Sequence, residues 1–341
     1  MTSYASWAEA RGATLDGERV LDFGDAAAEA AALREGAALW GRAGWELLWL
    51  RGGDRLAFLH KYITQDVAEL QPGQSTYGCC LTVKGTLVGE LTLHVDADAA
   101  LAVVPPGGAE PLLAHLGKFA LFDDASLERA DDLALLSVWG PGAAAALEQV
   151  LGVTPPAAGA NLRATHGEHS LLIARDDPAG VPGYDLAVPS AALASLADAL
   201  AAAATPVGER AIERLRVEQG WPLFGVDMSE KTIPTEAGLK ERAVSFSKGC
   251  YLGQEVVVRI EHRGHVNRSL VGVRLPADAG PAPLAAFLGA KQVGEVTTIA
   301  DVAGGSAGIG ILHRKATEPG TTVHLGAPDG PEATVCALPL A

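Results

Sequence analysis

Cysteine is scarce, with four residues in 341 at Cys79, Cys80, Cys250 and Cys336. No pair has C-x-x-C spacing, which argues against a disulfide scaffold and a cysteine-built zinc or redox centre, and a reducing, cytoplasmic setting is expected. Basic residues are outnumbered. The 26 Lys and Arg against 41 Asp and Glu leave a formal charge of -15, a field that repels phosphate backbones and anionic bilayers, so neither nucleic acid nor a membrane is an expected partner. Long apolar runs are missing as well. The most apolar helical stretch, Ala191–Ala204, is interrupted by Asp198 and is too short for a hydrocarbon core of ~30 Å. Met1–Gly12 carries Glu9 and Arg11 where a secretory leader needs an apolar centre. Aromatic residues make up only 5%, so the core must be built from Ala, Leu and Val.

What is present is an ordinary globular composition, 48% hydrophobic and 20% charged, long enough for two average domains of roughly 150 residues or three small ones. Helix formers fill Asp25–Glu35, and a glycine-bounded apolar run follows at Trp45–Leu50. Asp54 is placed to cap a helix through His60, and Tyr77–Val83 and Thr86–Val95 flank a Lys84-Gly85 turn in the pattern of a hairpin. Strands are predicted at Leu101–Val104, Leu133–Val138, Leu171–Ala174 and Tyr184–Val188. Helices are predicted at Glu110–Phe119, Gly142–Leu151, Ser190–Ala204 and Glu209–Gln219. Antiparallel sheet with helices on one face packs these elements most simply, an α+β arrangement. After Asn267, short β segments at Leu270–Leu275, Val293–Ile299, Ile309–Leu312 and Thr322–Leu325 alternate with Gly and Pro, which predicts a small all-β barrel.

Several motifs carry less chemistry than their letters suggest. Gly140–Ala145 fits a relaxed G-x-G-x-x-A, but no acidic residue ends a second strand about 20 residues later, so a plain strand-to-helix turn is expected. Gly304–Gly308 fits G-x-S-x-G, yet a strand-like segment follows instead of the helix that a nucleophile elbow requires. Cys79 and Cys80 are adjacent in a predicted strand, where alternation sends one thiol to each face. His262 and His265 have no H-E-x-x-H carboxylate, and no metal site is expected.

Ser247–Arg259 differs in kind, placing a single thiol, Cys250, among Lys248, Gly249, Gly253 and Gln254. A helix capped by Ser247 or Cys250 and running through Glu255 would bring the sulfur to unpaired N–H groups and a positive dipole end. Lys248 would add a cation, and both effects favour thiolate. The alternative is a small buried side chain in a tight loop. Arg259, Arg263 and Arg268, interleaved with His262 and His265, then form a basic stretch, suited either to holding carboxylates or to guarding an edge strand.

The run Lys248–Arg259 resembles the K-x-C-[YF]-x-G-Q-E-x-x-x-R signature of the YgfZ family, folate-binding proteins linked to iron-sulfur cluster assembly and repair. That family lies within the superfamily of the glycine-cleavage aminomethyltransferase, the T-protein. The resemblance extends over nearly the whole chain, through Asp54–Asp66, Gly73–Gly85, Lys118–Phe122, Gly183-Tyr184-Asp185 and Gln219–Leu239. It implies three domains around a central folate cavity: a discontinuous first domain at 1–53 and 205–266, a ferredoxin-like region at 54–204, and a C-terminal six-stranded-type barrel at 267–341. It implies tetrahydrofolate or a reduced derivative as cofactor, with Asp185 in the place of the T-protein glutamate that bonds the pterin. Glu90, Tyr251, Gly253, Gln254 and Arg259 are the further cofactor-binding candidates, and Cys250 and Lys248 the catalytic ones. Gly89 and Glu90 stand where the T-protein has two aspartates, and Pro105 where it has a folate-contacting asparagine.

The expected function is therefore a tetrahydrofolate-binding accessory protein for iron-sulfur enzymes, with Cys250 as its working thiol and iron-sulfur client or assembly proteins as partners. A single cysteine does not hold a cluster, which takes about four thiolates. The alternative is a folate-dependent aminomethyltransferase or demethylase.

Overall fold

The computed structural model describes residues 3–264, 266–277 and 279–340. The chain divides into two compact units, one of Met1–His60, Val67–Tyr77 and Leu91–Ile212, the other of Lys61–Asp66, Gly78–Glu90 and Glu213–Ala341.

The first unit is layered. A six-stranded sheet runs in the order Asn161–His166, His169–Arg175, Gly183–Pro189, Leu133–Trp139, Ala38–Gly41, Thr205–Val207. All its pairs are antiparallel except the last. Its two faces are sorted by the strand period of two. Leu136, Val138, Leu171, Ile173, Leu186 and Val188 face one way and pack with Leu147, Leu196 and Leu200 of the helices Ala143–Leu151 and Leu193–Ala201. Leu135, Leu172, Ala174 and Ala187 face the other way and meet Leu47, Leu101 and Val103 of a second sheet. That sheet has five strands, in the order Ser75–Leu81, Leu87–Val95, Ala100–Val104, Glu46–Arg51, Ser126–Arg129. Its hairpin Ser75–Leu81/Leu87–Val95 leaves the first unit, since 78–90 belong to the second.

The second unit contains the barrel anticipated from the Gly- and Pro-punctuated C-terminal sequence. Six strands close it: Arg268–Leu275, Gly305–His313, Lys291–Val302, Leu284–Leu288, Thr322–Leu325 and Glu332–Cys336, the last pairing back onto the first. Val271, Val273, Val296, Leu312, Val323 and Val335 fill it. The helix Glu209–Gln219 has the expected bounds, and its Arg216 is buried in an ion pair with Asp227. Thr297 and Thr298 of the barrel each donate to the other Asp227 oxygen, at 2.7 Å.

Some local expectations need correction. The helix expected from Ser190 begins at Leu193, because the Ser190 amide and hydroxyl both bond Asp132 O instead. The strands Ala38–Gly41, Ser126–Arg129, Asn161–His166, Leu284–Leu288 and Glu332–Cys336 have no counterpart in the sequence reading. Cys79 and Cys80 are both fully buried, where one of the two was expected to point outward. The cause is Ile63–Thr64 lying against them: Ile63 bridges to Cys80, and Thr64 exchanges bonds with the Cys79 backbone. Gly140–Ala145 is indeed a strand-to-helix turn, and Gly304 lies in the turn between two barrel strands. No helix among the described residues is long and apolar enough to cross a membrane.

Candidate functional site

In the second unit, the segment 244–253 is a non-helical loop and the helix starts only at Gln254, running to Arg263 with Gly253 as N-cap and Gly264 closing it. Cys250 therefore does not cap a helix. Val256 to Val258 are poor helix formers, but the left-handed glycines at both ends, φ 86° and 73°, set the limits. The basic stretch is divided accordingly. Arg259 and His262 are exposed on the helix, Arg268 enters the barrel and pairs with Glu236, and His265 lies outside the described residues.

The loop is anchored from inside. Lys248 is 7% exposed, and its Nζ donates to Ile63 O at 2.7 Å and Gln65 O at 2.8 Å. The ammonium sits 5.0 Å from the Tyr251 ring centroid. Burial lowers its pKa to about 8, against the opposing pull of Asp66 and Cys80. Lys248 is thus a structural anchor directed inward, where the sequence suggested a cation serving the thiol. Further clamps are Ser245 N to Thr64 O and Leu252 N to Lys61 O, both 3.0 Å. Gly253 abuts the hairpin tip so closely that a Cβ there would lie 2.5 Å from Thr82 O. Tyr251 is buried, its hydroxyl has no hydrogen-bond partner among the described residues, and burial pushes its pKa up to about 12. Out of this rigid loop Cys250 faces solvent. Gln254 and Arg259, with Glu255, Val258 and His262, line an open depression of about 530 Å³ on the helix. Glu90, also in this unit, is 3% exposed and accepts the Phe224 amide at 2.8 Å.

Asp185 belongs to the first unit and stands in a row that strand register creates. Asn161, Ala174, Asp185, Ser137 and Trp40 are successive cross-strand partners over five strands, so their side chains share one face. Arg42, two residues beyond Trp40, joins them. The Asp185 carboxylate is 5% exposed, takes the Ser137 hydroxyl on Oδ1 at 2.6 Å, and forms an ion pair with Arg42 through Oδ2. The guanidinium lies 3.4 Å from the Trp45 ring centroid and 5.0 Å from that of Trp40, geometry suited to a planar cation. Asn161 donates to Ser75 Oγ at 3.0 Å, and Ser75 bonds His94 Nδ1 at 2.9 Å. His94 is 1% exposed, and burial pulls its pKa down to about 4, with Asp185 raising and Arg42 lowering it. His94 Nε2 and Trp40 Nε1 are buried with no hydrogen-bond partner among the described residues.

Arg42, Ser137, Trp45 and His94 were not singled out from the sequence. The available signal was Trp40-Gly-Arg42-x-x-Trp45, an arginine between two tryptophans in a chain with few aromatics. Chemically, this cluster is a buried ion pair flanked by tryptophans and by two unpartnered ring nitrogens, while the Cys250 loop presents an exposed thiol. Among the described residues no cluster of His, Cys, Asp and Glu is arranged to hold a metal.

The family model of the GCVT N-terminal domain matches residues 5–248. An aminomethyltransferase of Herpetosiphon aurantiacus is 31% identical over 257 residues, covering 73% of this chain and 70% of that protein. One from Bordetella parapertussis is 31% identical over 235 residues, 66% of this chain and 62% of its own length. One from Chlorobium phaeovibrioides is 29% identical over 283 residues, 76% and 75% of the two chains. The crystal structure of glycine cleavage system aminomethyltransferase T from Bartonella henselae superposes with a TM-score of 0.85 at 23% identity, covering 98% of this chain and 95% of that one; at that identity the likeness concerns the fold.

Proposed function

The chain belongs to the family of the GCVT N-terminal domain, and from that premise we propose that it binds tetrahydrofolate and acts on a one-carbon unit, with aminomethyl transfer the activity its relatives' names favour. Tetrahydrofolate is the cofactor this family uses. The observation that carries the reading is the Asp185 wall. Its unsatisfied His94 Nε2 and Trp40 Nε1 fit a flat, polar-edged ring, since buried polar atoms ordinarily have partners.

In this reading Asp185 holds the amide edge of the pterin, because each carboxylate oxygen retains a lone pair after serving Ser137 and Arg42. Trp45 and Trp40 give apolar faces and keep water out. The bound cofactor supplies the nitrogen that accepts the one-carbon unit. A proton leaving such a nitrogen needs a base in reach. At the two family positions for acids this chain has Gly89, which has no side chain, and Glu90, which the second unit carries. One Glu90 oxygen accepts the Phe224 amide at 2.8 Å.

A second reading rests on one specific observation: Cys250 is exposed on a loop that Lys248 fixes from within. It supports the accessory role for iron-sulfur enzymes, in which the thiol rather than Glu90 is the working group, and iron-sulfur client or assembly proteins are the partners. The experiment that separates the two assays methylene-tetrahydrofolate formation from an aminomethylated lipoyl carrier, for wild type, Glu90→Gln and Cys250→Ala. Turnover abolished by Glu90→Gln and retained by Cys250→Ala supports aminomethyl transfer. Absence of turnover, together with loss of iron-sulfur enzyme activity in cells carrying Cys250→Ala, supports the accessory role.

A further inference from the structure

A buried carboxylate facing a pteridine can distinguish rings by charge as well as by shape, and the feature that decides the matter here is Arg42. Asp185 is not a lone anion. Arg42 and Asp185 are 4% and 7% exposed at their side chains and directly paired, so the carboxylate already has a guanidinium counter-charge before any ligand arrives. His94 does not change this, since burial holds its pKa at about 4 and keeps it neutral in mildly acidic and neutral solution.

We propose that Arg42 is a specificity-determining residue that makes this site select a neutral 2-amino-4-oxo pteridine over a cationic 2,4-diamino one. The inference rests on the folate reading above and adds to it the residue that sets ring selectivity. A 2-amino-4-oxo ring presents two N–H donors along one edge without bringing a charge, and the remaining Asp185 lone pairs accept them. A 2,4-diamino ring takes up a proton at N1. Against an unpaired carboxylate that charge would add attraction, but beside the Arg42 guanidinium it meets a like charge in a region shielded from water. The clamp between Trp45 and Trp40 at 3.4 and 5.0 Å, together with the Arg42 amide bond to Leu135 O at 3.2 Å, holds the guanidinium where this repulsion acts.

The test is calorimetric titration of the full chain with tetrahydrofolate and with methotrexate, at mildly acidic pH, for wild type, Arg42→Gln and Arg42→Lys. Wild type is expected to prefer tetrahydrofolate. Arg42→Gln, with no guanidinium, is expected to lose at least about tenfold of that preference through tighter methotrexate binding. Arg42→Lys, which keeps the charge but not the planar stack on Trp45 and Trp40, is expected to keep more of the preference than Arg42→Gln does. An unchanged preference in Arg42→Gln, with tetrahydrofolate still bound, overturns the role of Arg42 alone. Wild type that binds neither compound overturns the folate reading and this inference with it. Should Arg42→Gln fail to fold, Arg42→Met takes its place, and an unchanged preference in that variant overturns the proposal.

Discussion

Replacing Lys248 with Met keeps the length of the side chain and removes the two bonds that tie the Cys250 loop to Ile63 O and Gln65 O, at 2.7 and 2.8 Å. Each buried carbonyl left unpaired costs about 1 to 3 kcal/mol, so the gross loss is about 2 to 6 kcal/mol. Against it stands relief from burying an ammonium, whose pKa burial has lowered from 10.5 to about 8. At roughly 1.4 kcal/mol per unit that relief is at most ~3.5 kcal/mol, and less where water screens the charge. At mid-range, about 4 kcal/mol lost against at most ~3.5 relieved leaves a net loss on the order of 1 kcal/mol, confined to the loop. By hydrogen exchange, amides of 245–253, Leu252 N–H among them, should then open roughly 5-fold more often. The pH dependence has a definite sign. The folded pKa lies below the unfolded one, so between about pH 8 and 10.5 the unfolded chain binds more protons. Stability of the wild type relative to Lys248→Met therefore rises with pH across that window, while the penalty for the charged form is fully present below it. Unchanged exchange at 245–253, or an equal increase throughout the second unit, would refute the local-anchor role.

Three further outcomes follow from the geometry. His94, with a folded pKa of about 4 against 6.5 unfolded, contributes stability that is present above pH 6.5 and lost as pH falls toward 4; urea melts at pH 7 and about 4.5 should differ by about 2 to 3 kcal/mol more in wild type than in His94→Asn, and identical pH responses would contradict this. Native alkylation should reach Cys250, which is exposed, well before Cys336, which is half-buried, or the fully buried Cys79 and Cys80; equal labelling of the strand cysteines would contradict it. Gly253→Ala combines a left-handed backbone with a Cβ 2.5 Å from Thr82 O, so denaturant melts should show a loss of at least about 1 to 3 kcal/mol, and a neutral result would mean that the hairpin tip can retreat.

What could be read from the sequence was local periodicity. The barrel strand Thr322–Leu325 and the helix Glu209–Gln219 match their expected bounds because alternation or an amphipathic stripe, closed by turn residues, specifies each on its own. Short strands such as Ala38–Gly41, buried at every position, have no alternation to reveal them. The sites depend on partners far apart in the chain. Lys248 reaches carbonyls 185 and 183 residues away, and Arg42 meets Asp185 across 143 residues. The thiol of Cys250 was legible as a residue type in a motif, whereas the inward turn of Lys248 was not, since a lysine among glycines reads equally well as a surface cation. Asp185 was found through family resemblance, but its neutralisation by Arg42 follows only from the register that aligns Trp40, Ser137 and Asp185 in one row.

The central claim, a folate site with Asp185 in its wall, is tested most directly by calorimetric titration of tetrahydrofolate into wild type and Asp185→Asn. Saturable binding is expected, weakened in Asp185→Asn by about 1.5 to 3 kcal/mol, the range for hydrogen bonds to a charged group, or roughly 10- to 150-fold in Kd. Absence of binding to the wild type at millimolar tetrahydrofolate would contradict the account, and equal affinity in the two proteins would remove Asp185 from the site.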